Sequence, residues 1–192
     1  MKLRGLAAAM LVAVVGLSAT LAFSEDEREA GEDGERGWAA RLAAPTGVRA
    51  VDNPLYAAEC GSCHFAYQPG LLPAASWERI MANLSDHFGD NAELPATETT
   101  AIRNYLLNNA AGRVNSSLPK KILRDSKTQQ PVMRITETPY FIRKHDEIKP
   151  KMVKDNPEVR SFSRCDACHT RAADASYNEH EVKIPGYGRW ED

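Results

Sequence analysis

Cys60-Gly61-Ser62-Cys63-His64 and Cys165-Asp166-Ala167-Cys168-His169 are two copies of one pattern, Cys-x-x-Cys-His, and together they use all four cysteines of the chain. Two thiols three positions apart reach the two vinyl-derived carbons on one edge of a haem. The histidine directly after the second thiol reaches the iron. The pattern predicts two covalently attached haem c groups, held by Cys60 and Cys63 and by Cys165 and Cys168. His64 and His169 are then the proximal iron ligands. Two other readings fit the thiols alone. A disulfide within each Cys-x-x-Cys would be a redox-active pair, and four thiolates suit a zinc site by spacing. Both leave the two histidines without a role.

The N-terminus sets the expected compartment. Lys2 and Arg4 precede an apolar run from Leu6 to Ala22, with Thr20 and Ala22 as small residues before a cleavage point. This predicts a secretory signal peptide over 1–22 and an exported, soluble mature protein in a bacterial periplasm. An uncleaved anchor is the alternative, but the run is short for a bilayer span and no stop-transfer cluster follows. Two of the 24 Lys and Arg side chains lie in the signal, against 26 Asp and Glu in the whole chain. Four haem propionates add further negative charge. That balance argues against a nucleic-acid binder.

Residues 23–49 are charged and glycine-containing, and predict a flexible acidic leader with a short helix at 38–43. The rest divides around the motifs into a first haem lobe, 50–110, and a second, 111–192. Each is small for a protein-only core, and a haem supplies the missing apolar bulk. The expected class is mostly α, two haem-binding lobes with long irregular connections. Asn53-Pro54 opens one helix. Ser76 caps a second, with Trp77, Ile80, Met81, Leu84 and Phe88 on one stripe and Gly89 at its end. Thr97 caps a third, bearing Ala101, Ile102, Tyr105 and Leu106. The polar section 111–135 predicts a connection, Thr138-Pro139 begins a helix through His145, and the tail around Ile184 to Gly188 predicts irregular chain.

The sixth iron ligand decides whether a haem carries electrons or binds something. His87 follows Leu84 on the predicted stripe, within reach of the first motif. His145 follows Phe141 by four positions and shares its helix face. These are the expected distal ligands, most simply His64 with His87 and His169 with His145. Crossed ligation stays open. Met81 suits packing better than ligation, Met133 and Met152 are weak candidates, and His180 among acidic neighbours predicts a surface residue. Imidazole on both faces closes the iron and favours a low potential. The cofactor then carries the redox chemistry. The basic stretches 120–124 and 143–154 are a solvated face or a docking patch. Arg164 and Arg171 are candidate propionate contacts, and Trp77 is a stacking candidate.

Cys60-Gly-Ser-Cys-His64, Ser85-Asp-His-Phe-Gly89, Thr138-Pro-Tyr-Phe-Ile-Arg-Lys-His145 and Arg164-Cys-Asp-Ala-Cys-His169 with Ile184-Pro185 resemble the small dihaem cytochromes c, over roughly Asn53 to Gly186. The resemblance implies bis-histidine ligation through His87 and His145, and electron shuttling in the periplasm to a partner haem protein. The expected acceptor is a monohaem cytochrome c, which in that family can bind oxygen. The expected donor is a membrane-bound cytochrome. The acidic leader has no counterpart in the resemblance. No small-molecule substrate is expected. The competing reading is a dihaem enzyme or gas-binding protein, peroxidase-like, with one open haem site. A docking subunit of a respiratory assembly is a third.

Overall fold

The computed structural model describes residues 47–125 and 131–190. The chain divides into Met1–Ala43 and Ala44–Asp192, and the description below concerns the second unit. The predicted signal peptide, the leader up to residue 46 and the helix at 38–43 lie outside the described residues.

Helix α1 (Pro54–Gly61) starts where Asn53-Pro54 predicts. The Asn53 side chain accepts a hydrogen bond from the Tyr56 amide at 2.9 Å, and Pro54 occupies a position whose N–H has no helical acceptor. Cys60 lies in the last turn, and Cys63 and His64 lie just beyond the helix end. A 3-10 turn at Pro69–Leu71 follows.

Helix α2 (Ala74–Met81) departs from expectation at both ends. Its N-cap is Pro73, not Ser76, which sits buried inside the first turn. The predicted stripe is buried at Trp77, Ile80 and Met81 but does not continue to Gly89. Asn83 Nδ2 donates to the Asp86 carbonyl at 3.1 Å, and the Gly89 amide donates to Asp86 Oδ1 at 3.1 Å. Such local side-chain bonds offer the backbone an alternative to the helical ladder. Leu84–Asp86 therefore forms a 3-10 turn, and Phe88 has a φ of 58°.

Helix α3 (Ala96–Asn109) is capped by Pro95 rather than Thr97. It buries Ile102 and Leu106 as predicted, while Ala101 is exposed. The Arg103 guanidinium binds the Glu78 carboxylate with both Nε and Nη2, tying α3 to α2. The section 111–135 is not simply a connection: it contains α4 (Ser117–Asp125). Pro119 falls in the first turn, where proline is tolerated, and Leu118 and Ile122, four apart, are buried.

Helix α5 (Pro139–His145) is capped as predicted, with Thr138 Oγ1 accepting from the Phe141 amide at 3.2 Å. Short helices α6 (Pro150–Val153) and α7 (Cys165–Cys168) follow. The tail is not wholly irregular, since β1 (Lys183–Ile184) pairs antiparallel with β2 (Gly188–Arg189). Among the described residues, three apolar clusters form the core. One gathers Tyr56, Leu72, Trp77, Ile102 and Leu106. A second gathers Val48, Leu71, Leu118 and Ile122, and a third Met152, Val153, Val159 and Ile184. Tyr67 packs against both of the first two.

Candidate haem sites

The first attachment motif opens onto a cavity of about 830 Å³, lined by Cys60, Cys63, His64, Trp77, His87, Met133 and Arg134 among others. The rings of His64 and His87 face across it with centroids 6.2 Å apart and planes 16° from parallel. His64 Nδ1 lies 2.7 Å from the Phe65 carbonyl. With Nδ1 donating there, Nε2 keeps its lone pair for a metal. His87 is not on a helix stripe. It ends the 3-10 turn, and its amide donates to the Asp90 carbonyl at 2.7 Å. Burial, and then the neighbouring His64, lower its pKa, favouring the neutral imidazole that metal ligation needs. Beside it, the Arg134 guanidinium lies 4.1 Å from the centre of the exposed Phe88 ring.

The second motif opens onto a cavity of about 410 Å³ lined by Phe141, His145, Phe162, Cys165, Cys168, His169 and Tyr177 among others. His145 and His169 have ring centroids 6.1 Å apart with planes at 67°. The four-residue spacing seen in the sequence has a direct consequence. The His145 ring stacks on Phe141 at 3.8 Å, and its Nδ1 lies 2.9 Å from the Phe141 carbonyl one turn back. Phe162 meets His145 edge-on. Burial, and secondarily His145, push the His169 pKa down to about 4. His169 Nδ1 is itself buried without a hydrogen-bond partner.

These residues fit haem. Two imidazoles bound to opposite sides of one metal, with metal–nitrogen bonds of about 2 Å, have ring centres roughly 6 Å apart. Both pairs have that separation. The four cysteines form no disulfide. Burial pushes the Cys60 thiol up to about 11 and Cys165 to about 12, the opposite of an activated redox thiolate. Among the described residues no group of three or more His, Cys, Asp or Glu side chains converges as a metal site, which removes the four-thiolate zinc reading.

A family model for dihaem cytochrome c matches residues 56–177. The chain belongs to the dihaem cytochrome c family. A dihaem cytochrome c of Shewanella baltica, known from an X-ray structure, is 47% identical with a TM-score of 0.60, the match covering 72% of this chain and 98% of that one. A dihaem cytochrome c from Rhodobacter sphaeroides is 40% identical with a TM-score of 0.61, covering 68% of this chain and 100% of that one. No curated protein sequence matches. As a dihaem cytochrome c, the protein carries two covalently bound haem c groups and transfers electrons, and its mostly α fold is that of the family.

The remaining candidates fall into place around this dihaem cytochrome fold. His180 is exposed. Met81 and Met133 line the first cavity, while Met152 is buried in the third cluster. Trp77 lines the first cavity, and its Nε1 donates to the Pro69 carbonyl at 2.7 Å. Arg171 pairs with Asp174 at 3.4 Å and Glu181 at 2.9 Å, and Arg164 Nη1 donates to the Glu158 carbonyl at 3.3 Å. The sequence reading missed Tyr67, Gln68 and Tyr177, which have no spacing or motif to mark them, and Arg134, which reaches the first cavity from far along the chain.

Proposed function

We propose that this dihaem cytochrome c shuttles single electrons through two bis-histidine haems, with His64 and His87 on one iron and His169 and His145 on the other. The observation that carries the reading is the pair of facing imidazoles in each cavity, at 6.2 and 6.1 Å between ring centres. The haems supply the redox chemistry. The chain's own work is to orient each imidazole and exclude water. His64 and His145 are oriented by Nδ1 contacts to backbone carbonyls, and Phe141 and Phe162 wall His145. A second imidazole in each cavity weighs against an open site for gas or peroxide. The proposed setting is the bacterial periplasm, after signal cleavage. The proposed donor is a membrane-bound cytochrome, and the proposed acceptor a monohaem cytochrome c.

Low-temperature electron paramagnetic resonance of the ferric protein, with two haems per chain established, tests the ligation. The expected result is two low-spin signals of different shape. Near-parallel imidazole planes separate the π-symmetry d orbitals of iron and resolve the spectrum, while planes nearer perpendicular leave those orbitals close in energy and give one large-g feature. A high-spin signal from either haem, or rapid carbon monoxide binding to the reduced protein, overturns bis-histidine closure.

A further inference from the structure

We propose that the Tyr67–Gln68 dipeptide is a clamp that fixes the two haem sites relative to each other, with Tyr67 the positioning residue between them. Tyr67 faces the first site with its ring, 5.0 Å from the His64 ring and 29° from parallel. Its hydroxyl reaches the other way and donates to the Ser163 carbonyl at 2.7 Å, two residues before Cys165. Gln68 grips the far side of the second motif. Its Nε2 donates to the Ala172 carbonyl at 2.6 Å, three residues after His169. Its Oε1 accepts from the Tyr177 hydroxyl, and the Tyr177 ring lies 5.3 Å from that of His169. The clamp is anchored from the first-site side as well, because the Tyr56 hydroxyl donates to the Tyr67 carbonyl at 2.7 Å.

Two adjacent residues thus hold the second motif from both flanks while one of them packs on the first proximal histidine. The two cavities also share a wall, since Ile135 and Cys165 line both. An attachment residue of the second haem therefore borders the first haem's cavity. Passing one electron between the sites makes and breaks no bond and moves no proton. The protein's contribution is then a short, fixed separation and a dry path. A fully buried glutamine is costly unless its bonds are met. Here both ends are met, which is how a buried polar network specifies one arrangement of its neighbours. The inference extends the proposed electron path, but it requires only two attached haems and does not depend on which residues are the distal ligands.

The test compares Tyr67→Phe, Tyr67→Leu and Gln68→Met with Tyr105→Phe. The control also loses a tyrosine hydroxyl, one that accepts from the Asp52 amide. In each two-haem protein, two quantities are measured: the electron-exchange rate between haems after partial photoreduction, and the separation of the two midpoint potentials. Tyr67→Phe is expected to slow exchange severalfold, and Tyr67→Leu and Gln68→Met more. All three are expected to alter the potential separation, and Tyr105→Phe neither quantity. If the Tyr67 variants lower only the melting temperature and leave both redox readouts unchanged, the residue is merely structural and the clamp is overturned. Should Tyr67→Leu or Gln68→Met fail to fold, Tyr67→Phe decides alone, and an unchanged exchange rate overturns the proposal. A high-spin wild-type signal would sink bis-histidine ligation while leaving this comparison fully interpretable.

Discussion

His169 shows what burial does to a proposed ligand before any metal is considered. A histidine with an ordinary value of 6.5 is lowered to about 4, first by burial and then by His145. The folded chain therefore takes up the proton later than the unfolded chain as pH falls. The sign follows: the stability contributed by a neutral, buried His169 is fully present above pH 6.5 and is lost as the pH drops through about 4. Iron on the same imidazole, as proposed, would compete with the proton and act in the same direction. Under the proposed ligation, an acid titration followed by absorbance is expected to keep the second haem low-spin well below pH 6.5. A low-to-high-spin transition of that haem near pH 6.5 would contradict the buried environment. The removal of His145 leaves the first haem's ring pair untouched, so His145→Ala is expected to give one high-spin and one low-spin haem.

At the scale of elements, α5 carries His145, the proposed distal ligand, behind a single cap. Thr138 is 1% exposed. Its hydroxyl both donates to the Ile135 carbonyl at 2.8 Å and accepts from the Phe141 amide. Thr138→Ala is expected to cost about 1 kcal/mol, a fall in melting temperature of roughly 2–4 °C for a chain of this size. It is also expected to broaden the signal of the haem that His145 is proposed to hold, while Thr138→Ser restores both. A stability loss with an unchanged haem signal would show that the cap does not position the ligand. The caps at Asn53 and Thr138 were legible because Asn-Pro and Thr-Pro each place the capping side chain and the first-turn proline together. Ser76 and Thr97 misled. In both cases a proline upstream, Pro73 or Pro95, already holds the extended backbone of the N-cap. The section containing α4 looked polar because Lys120, Lys121 and Arg124 are exposed. The i, i+4 pair Leu118 and Ile122 was the overlooked signal.

For the molecule as described, the two cavities of about 830 and 410 Å³ are clefts partly open to solvent. Their walls include Trp77, Ile80, Leu106, Ile122 and Val153, core side chains that need an apolar partner. Haem is therefore part of the core. Chain made without haem attachment is expected to keep much of its helical far-ultraviolet signal, lose its near-ultraviolet signal and expand by roughly 10–20% in radius. A cooperative melt with native near-ultraviolet ellipticity in haem-free chain would show that the three protein clusters suffice alone.

The amino-acid sequence determined what is local and covalent: two haem attachment motifs, the histidine that follows each, and two well-capped helix starts. Each rests on residues no more than a few positions apart, whose chemistry is complete within the segment. The tertiary structure decided which imidazole faces which, at what angle, and how the two sites are joined. Tyr67 meets Ser163 across 96 residues and Gln68 meets Ala172 across 104. No periodicity links partners so far apart. Their meeting is set by how the apolar clusters pack, and so it becomes visible only once the chain is folded.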